Sequence, residues 1–246
     1  SGDVHYFARS GNTYIHKSKL SSPNPVVAEA FGSAFYALSP EILAVGATGS
    51  RDSTFSQIGS FYLAKILQDS LQILQKYDGI SQGQEIPTGL GSAIISNGKL
   101  LIVSASGQSD SNSYQRGCIY VYKIDSDSLL LREIVCSPSN QSYQRFGRAL
   151  AYANNRLFVG APQGTFALDQ GRIYVYDISG DSLKLTNVIT APYSSNINYF
   201  GLHMVAKGDS LLVGAPQDSS FGWNHGGIYL FQFDENDNYR LERTIT

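Results

Sequence analysis

Hydrophobic and polar positions alternate along this chain with a period of two, and the alternation restarts at a much longer interval. Residues 146–176 read FGRALAYANNRLFVGAPQGTFALDQGRIYVY. A Phe-Gly opening leads into a short apolar run, a polar turn at Asn154-Asn155, and a second apolar run ending in Val-Gly-Ala-Pro. A long polar stretch follows, then Gly-x-Ile-Tyr-Val-Tyr. Ile173 and Val175 alternate with Tyr174 and Tyr176, and Gly, Asn, Asp and Ser bound the runs, which is a strand pattern. No segment carries a sustained helical period.

Nearly the same text returns from Phe200, and weaker copies open at Phe31 and Leu90. The openings at 31, 90, 146 and 200, and the glycines at 2, 59, 117, 171 and 226 that precede the aromatic strand, recur every 54 to 59 residues. Such a period marks an array of one supersecondary unit. Each unit predicts two tight hairpins; in the third, the strands fall at 147–152, 156–160, 172–178 and 183–189. The fold expected is an all-β propeller of four-stranded antiparallel blades, with a stacked β-sandwich array as the alternative. One domain over residues 1–246 divides near 1–30 (a partial blade), 31–89, 90–145, 146–199 and 200–246. The glycines of Phe-Gly and Gly-Ala-Pro are expected where innermost strands converge, and the aromatic pairs farther out.

Composition removes several classes. With 246 residues, 42% hydrophobic and 15% charged, the chain can bury a core. A formal charge of -2 without a Lys/Arg run gives no footprint for nucleic acid or a membrane surface. No apolar run reaches the roughly 18 to 20 residues of a membrane helix, so direct membrane insertion is not expected. The sequence begins with Ser1-Gly2, carries its single Met at 204, and starts on the third strand of a unit. About 35 upstream residues are therefore expected to complete the first blade. The alternatives are a five-bladed ring with one two-stranded blade, and an open first blade that joins another chain.

The repeated Phe-Gly, Val-Gly-Ala-Pro at 159–162 and 213–216, and Ile-Tyr-Val-Tyr strands resemble the FG-GAP repeats of the integrin α-subunit propeller. The resemblance implies a non-catalytic recognition, adhesion or surface-assembly module. It would bind a protein partner, or a second copy of itself, through the face of long loops. It also implies export to the cell surface or beyond. A carbohydrate-binding lectin and the accessory propeller of a secreted hydrolase are the alternatives. The family commonly holds calcium in a first-hairpin loop of the form Asp-x-Asp/Asn-x-Asp-Gly-x-x-Asp. Here all four first hairpins are too short to supply six to eight oxygen ligands, so no cofactor is expected.

Candidate residues follow from loop length, since binding groups concentrate on long loops. The segments 48–58, 106–116, 163–170 and 217–225, with the connections between blades, share one face. Tyr114, Arg116, Tyr143, Tyr193, Trp223 and His225 are the ligand-binding candidates there, beside Phe166, Tyr199 and Phe221. Most of these rings would equally serve to pin loops to blades. Cys118 and Cys136 are equidistant from a hairpin turn near Asp127, which suits a cross-strand disulfide; two buried thiols are the other possibility. Asn140-Gln141-Ser142 is a glycosylation acceptor. His5, His16, His203 and His225 scatter along the chain, and the acidic turns at 125–127 and 234–238 use Asp and Asn to serve the backbone. No Gly-x-Ser-x-Gly, His-x-x-x-His or Cys-x-x-Cys spacing points to catalysis, and no enzyme is expected.

Overall fold

A computed structural model describes residues 2–25, 27–52, 56–79, 89–110, 113–125, 128–139, 141–162, 171–193, 199–219, 225–234 and 238–245. Eighteen strands form five antiparallel sheets among these residues. The first is a hairpin of β1 (Asp3–Ser10) and β2 (Thr13–Ser21). Four meanders of four strands follow. One holds β3 (Phe31–Ala37), β4 (Ile42–Ala47), β5 (Ser60–Ile66) and β6 (Leu71–Asp78). The next holds β7 (Leu90–Ser96), β8 (Leu100–Ala105), β9 (Cys118–Asp125) and β10 (Ser128–Cys136). Then come β11 (Ala149–Ala153), β12 (Arg156–Ala161), β13 (Arg172–Ser179) and β14 (Ser182–Thr190). The last holds β15 (His203–Lys207), β16 (Ser210–Ala215), β17 (Gly227–Phe233) and β18 (Tyr239–Ile245). This is a β-propeller architecture.

The core is divided among the blade interfaces. One cluster gathers Phe31, Val45 and Tyr62 with Leu20 of the first hairpin. A second joins Phe61, Leu63, Leu101, Tyr120 and Tyr122; a third joins Ile119, Val121, Phe146, Leu157, Tyr174 and Tyr176; a fourth joins Phe158, Phe200, Tyr229 and Phe231. Strand β9 explains how one unit serves two interfaces: Ile119 and Val121 face the blade after it, Tyr120 and Tyr122 the blade before it. Both faces are buried, and no blade could bury them alone.

The repeated glycines meet one another across these interfaces. A β-carbon on Gly46 would lie 2.0 Å from Gly91 O, and one on Gly160 would lie 2.2 Å from Gly201 O. The glycine of Gly-Ala-Pro in one blade is thus the contact surface for the glycine of Phe-Gly in the next. The second blade departs from the pattern: Ser104 occupies this place, and its hydroxyl donates to Gly147 O. Chain entry into the strands at Phe31 and Phe146 is clamped as well. Ser22 Oγ donates to Glu29 Oε1 (2.7 Å) and Ser137 Oγ to Gln144 Oε1 (3.0 Å), each seven residues on, and Tyr62 Oη and Tyr174 Oη donate to the same two oxygens.

All five outer hairpins carry one irregularity at the same place, where the fourth strand gains a residue: Lys17, Leu74, Arg132, Thr186 and Glu242. This bulge sets the disulfide. Ser128 pairs with Asp125, and unbroken pairing from there would set Cys118 against Val135. The extra residue at Arg132 moves the register by one, Cys118 stands opposite Cys136, and the two are bonded.

Candidate functional site

On the long-loop side, where β7 begins between its neighbours, a polar depression of about 400 Å³ is lined by Thr48, Gln57, Gly89, Ser92, Ser106, Gly107, Ser109, Tyr114, Gln115 and Arg148. It draws on three successive blades. Ser92 lies on the innermost strand, and its hydroxyl joins those of Ser104 (3.0 Å) and Ser106 (2.9 Å) while accepting the Ser106 amide (3.3 Å). Gln57 is turned by its own donation to Thr48 O (3.2 Å).

The rim is strapped. Tyr143 N donates to Tyr114 O (2.6 Å), Arg145 N to Gln115 O (3.0 Å) and Phe146 N to Arg116 O (3.1 Å). Tyr114 N donates to Ser142 Oγ (3.0 Å), and Arg145 Nε to Gln115 Oε1 (3.1 Å). These bonds hold the 113–116 and 141–146 segments as one wall. Against it stands Arg148, the single charged side chain of the described lining, exposed and two residues past Phe146. A cation set among hydroxyl and amide groups donates to carbonyl, carboxylate or sugar hydroxyl oxygens. The described lining holds no carboxylate and no imidazole.

The residues expected from loop position divide. Tyr114 lines the depression, with its ring edge-on to Tyr143 at 5.3 Å. Arg116 does not reach into it: Nη1 is paired with Asp110 (2.7 Å), and Nε and Nη2 donate to Ser137 O (3.0 and 2.8 Å), so this cation fastens one loop to the next. Tyr193 lies in another interface, 6.2 Å from the Tyr229 ring. His225 is exposed at the entry to β17, away from the lining. Trp223, Phe166, Phe221 and the acceptor Asn140 lie outside the described residues. The turn at 234–238 serves the backbone, since Asp234 Oδ1 accepts Asn238 N (2.9 Å).

Loop-length reasoning reached the segments that hold Gln57, Ser106 and Gln115 without singling those residues out, and it missed Ser92 and Arg148. Aligning the repeats in columns exposes four of the lining positions. After the Phe-Gly glycine stand Ser33, Ser92, Arg148 and Leu202. At the proline of Gly-Ala-Pro stand Thr48, Ser106, Pro162 and Pro216. Thr48, Ser92, Ser106 and Arg148 all line the depression. Two of the three polar residues in the first column and both polar residues in the second build it.

Buried phenols border the interfaces rather than the site. Burial, reinforced by the Glu29 carboxylate, pushes the Tyr62 hydroxyl up to about 12. Burial also raises Tyr122 and Tyr176, and Tyr229, where the adjacent Asp218 carboxylate adds to it.

No protein-family model matches the chain, and no curated protein matches it. Among solved structures it is similar to a Bacteroides fragilis protein assigned as a 6-phosphogluconolactonase, at 10% identity and a TM-score of 0.44, over 96% of this chain and 74% of that one. It is also similar to the periplasmic gluconolactonase of Pseudomonas aeruginosa, at 14% identity and a TM-score of 0.42, over 98% of this chain and 78% of that one. These findings correct three expectations. The FG-GAP, integrin-like assignment finds no supporting family match, and the neighbours found are named as lactonases. The adhesion or surface-assembly module, inferred from that assignment, and the absence of enzymatic activity, inferred from the missing catalytic spacings, are withdrawn as well. What the motifs encode is the blade-to-blade contact described above. The Cys118–Cys136 bond is compatible with an oxidising compartment.

Proposed function

We propose that this propeller takes a small polyhydroxylated carbonyl compound, a sugar lactone, into the depression at Ser92 and Arg148 and opens its ring. The observation that carries the reading is the donor set: one arginine and a network of serine hydroxyls lining the same depression, beside a strapped wall, with no acidic side chain among the described lining residues. Such a set suits a carbonyl oxygen that gains negative charge. Water or hydroxide adds to the carbonyl carbon, Arg148 and the hydroxyls donate to the resulting oxyanion, and the ring C–O bond breaks. The ring oxygen takes a proton and the product is a hydroxy acid, whose carboxylate pairs with Arg148 until it leaves. Since the described lining offers no general base, the nucleophile is drawn from solvent and the rate rises with pH. The protein would act outside the cell, in keeping with its disulfide.

The two neighbouring propellers are named for gluconolactones, which makes gluconolactone the first compound to try. Proton release in a pH-stat should exceed the spontaneous rate. Loss of one oxyanion donor costs on the order of 100-fold or more in rate, so Arg148→Gln should fall close to background. A rate equal to the uncatalysed one, or an Arg148→Gln variant as fast as the parent, refutes the proposal.

A further inference from the structure

The outer hairpin β1–β2 brings together two of the four histidines that lie eleven residues apart in sequence. His5 Nδ1 is 3.1 Å from His16 Nε2, and the ring centroids are 5.2 Å apart with a 47° tilt. Register explains the meeting. His5 pairs with Lys19 and Tyr6 with Ser18, so unbroken pairing would set Lys17 opposite Phe7 and turn His16 to the other face. The bulge at Lys17 sets His16 opposite Phe7 instead, on the face that carries His5. The Phe7 ring backs the His16 imidazole edge-on at 5.1 Å. Both histidines are exposed.

The repeat shows how unusual this pair is. His5 occupies the column that elsewhere holds Tyr62, Tyr120, Tyr174 and Tyr229, all buried. His16 occupies the column of Ile73, Leu131, Leu185 and Leu241. The chain replaces an aromatic and an aliphatic residue with two imidazoles at a pair of positions that meet diagonally across the hairpin.

We propose that His5 and His16 form a surface site for one divalent transition-metal ion of the Zn²⁺ or Cu²⁺ class. Zinc–imidazole bonds are about 2.0 to 2.1 Å. Two such nitrogens on one ion stand about 2.9 Å apart at a right angle and about 3.4 Å apart at a tetrahedral one. The observed 3.1 Å lies between, so the spacing of the two nitrogens fits a shared ion. The proton shared between the two nitrogens leaves the contact by moving to the far nitrogen of its ring, His5 Nε2 or His16 Nδ1. Imidazole suits both ions. Among the described residues no third His, Cys, Asp or Glu joins the pair, so water, or a donor from another molecule, completes the coordination.

The test is calorimetric titration of the full chain with ZnCl₂ and with CuCl₂, alongside His5→Ala, His16→Ala and a His225→Ala control. One ion per chain is expected, with affinity reduced at least tenfold in each of the first two variants and unchanged in the third. Electron paramagnetic resonance of the Cu²⁺-loaded parent should show two coupled nitrogens, a readout independent of how the variants fold. No saturable binding, binding by either single variant as tight as the parent's, or a spectrum with one coupled nitrogen overturns the site.

Discussion

Replacing Gly160 by alanine tests the claim that the repeated glycines are contact surfaces between blades. The new β-carbon would stand 2.2 Å from Gly201 O, where ordinary contacts begin at 3.4 Å. The two backbones must therefore separate by roughly an ångström, because neither atom is the end of a movable side chain. A gap of 0.5 to 1 Å forfeits about a quarter to a half of each contact's attraction across the interface, and overpacking of this kind costs about 1 to 3 kcal/mol. Each kcal/mol lowers the melting temperature of a chain this long by about 2 to 4 °C, so a drop of about 2 to 12 °C is expected. Gly214 is the internal control. It holds the same column in the last blade, yet a β-carbon there meets nothing closer than His203 Cβ at 3.5 Å. Gly214→Ala should melt within about 2 °C of the parent, the scale of a surface substitution. Thermal unfolding followed by circular dichroism decides the matter. Equal melting temperatures for the two variants would refute the contact reading.

Other substitutions probe the buried polar groups. Tyr176 Oη is buried with no hydrogen-bond partner among the described residues, whereas Tyr62 Oη donates to Glu29; Tyr176→Phe should therefore stabilise by about 1 kcal/mol and Tyr62→Phe destabilise by about 1.5 to 3 kcal/mol in urea titrations, and equal signs would contradict this. Reducing Cys118–Cys136, which closes a loop of 18 residues, should cost about 3 kcal/mol, seen as a lower urea midpoint in dithiothreitol; an unchanged midpoint would show that the cross-link restrains nothing. The raised phenols predict alkaline sensitivity. An unfolded tyrosine ionises near pH 10, below the folded value of about 12 for Tyr62. The stability held by the neutral form is therefore complete below pH 10 and is lost as pH rises toward 12, at about 1.4 kcal/mol per pH unit for each such tyrosine. Tyrosinate absorbance should rise together with unfolding; ionisation of all tyrosines in a still-folded chain would count against it.

The fold was legible because the repeat states it several times. Phe-Gly, Gly-Ala-Pro and the aromatic strand recur with turn residues at matching offsets, so the strand borders needed correcting by only a residue or two. Strand β11 begins at Ala149 rather than 147, since Gly147 is already spent on the clasp with Ser104. The bulge in each outer hairpin was not legible, because one extra residue leaves little mark in a fourth strand that mixes exposed and half-buried positions on both faces. Two consequences escaped with it. The turn before the disulfide sits half a residue from where symmetry about Asp127 would put it, and His5 and His16 read as scattered rather than paired. The site was hidden for a different reason. Loop length drew attention to Arg116, Tyr193 and His225, yet the first is consumed by Asp110 and Ser137 O, and the other two stand away from the depression. The signal lay in the repeat columns at the strand ends, where Thr48 and Ser106 replace the proline of Gly-Ala-Pro and where Ser92 and Arg148 follow the glycine of Phe-Gly. In a repeat, packing explains what recurs, and residues that depart from it without a packing reason are the place to look for chemistry.

The decisive measurement is the rate of sugar-lactone ring opening by the parent and by Arg148→Gln, read as proton release at several pH values. The geometry at Ser92 and Arg148 predicts a rate above the spontaneous one that climbs with pH and collapses when the guanidinium is removed. A parent rate indistinguishable from buffer, or one untouched by Arg148→Gln, would contradict it.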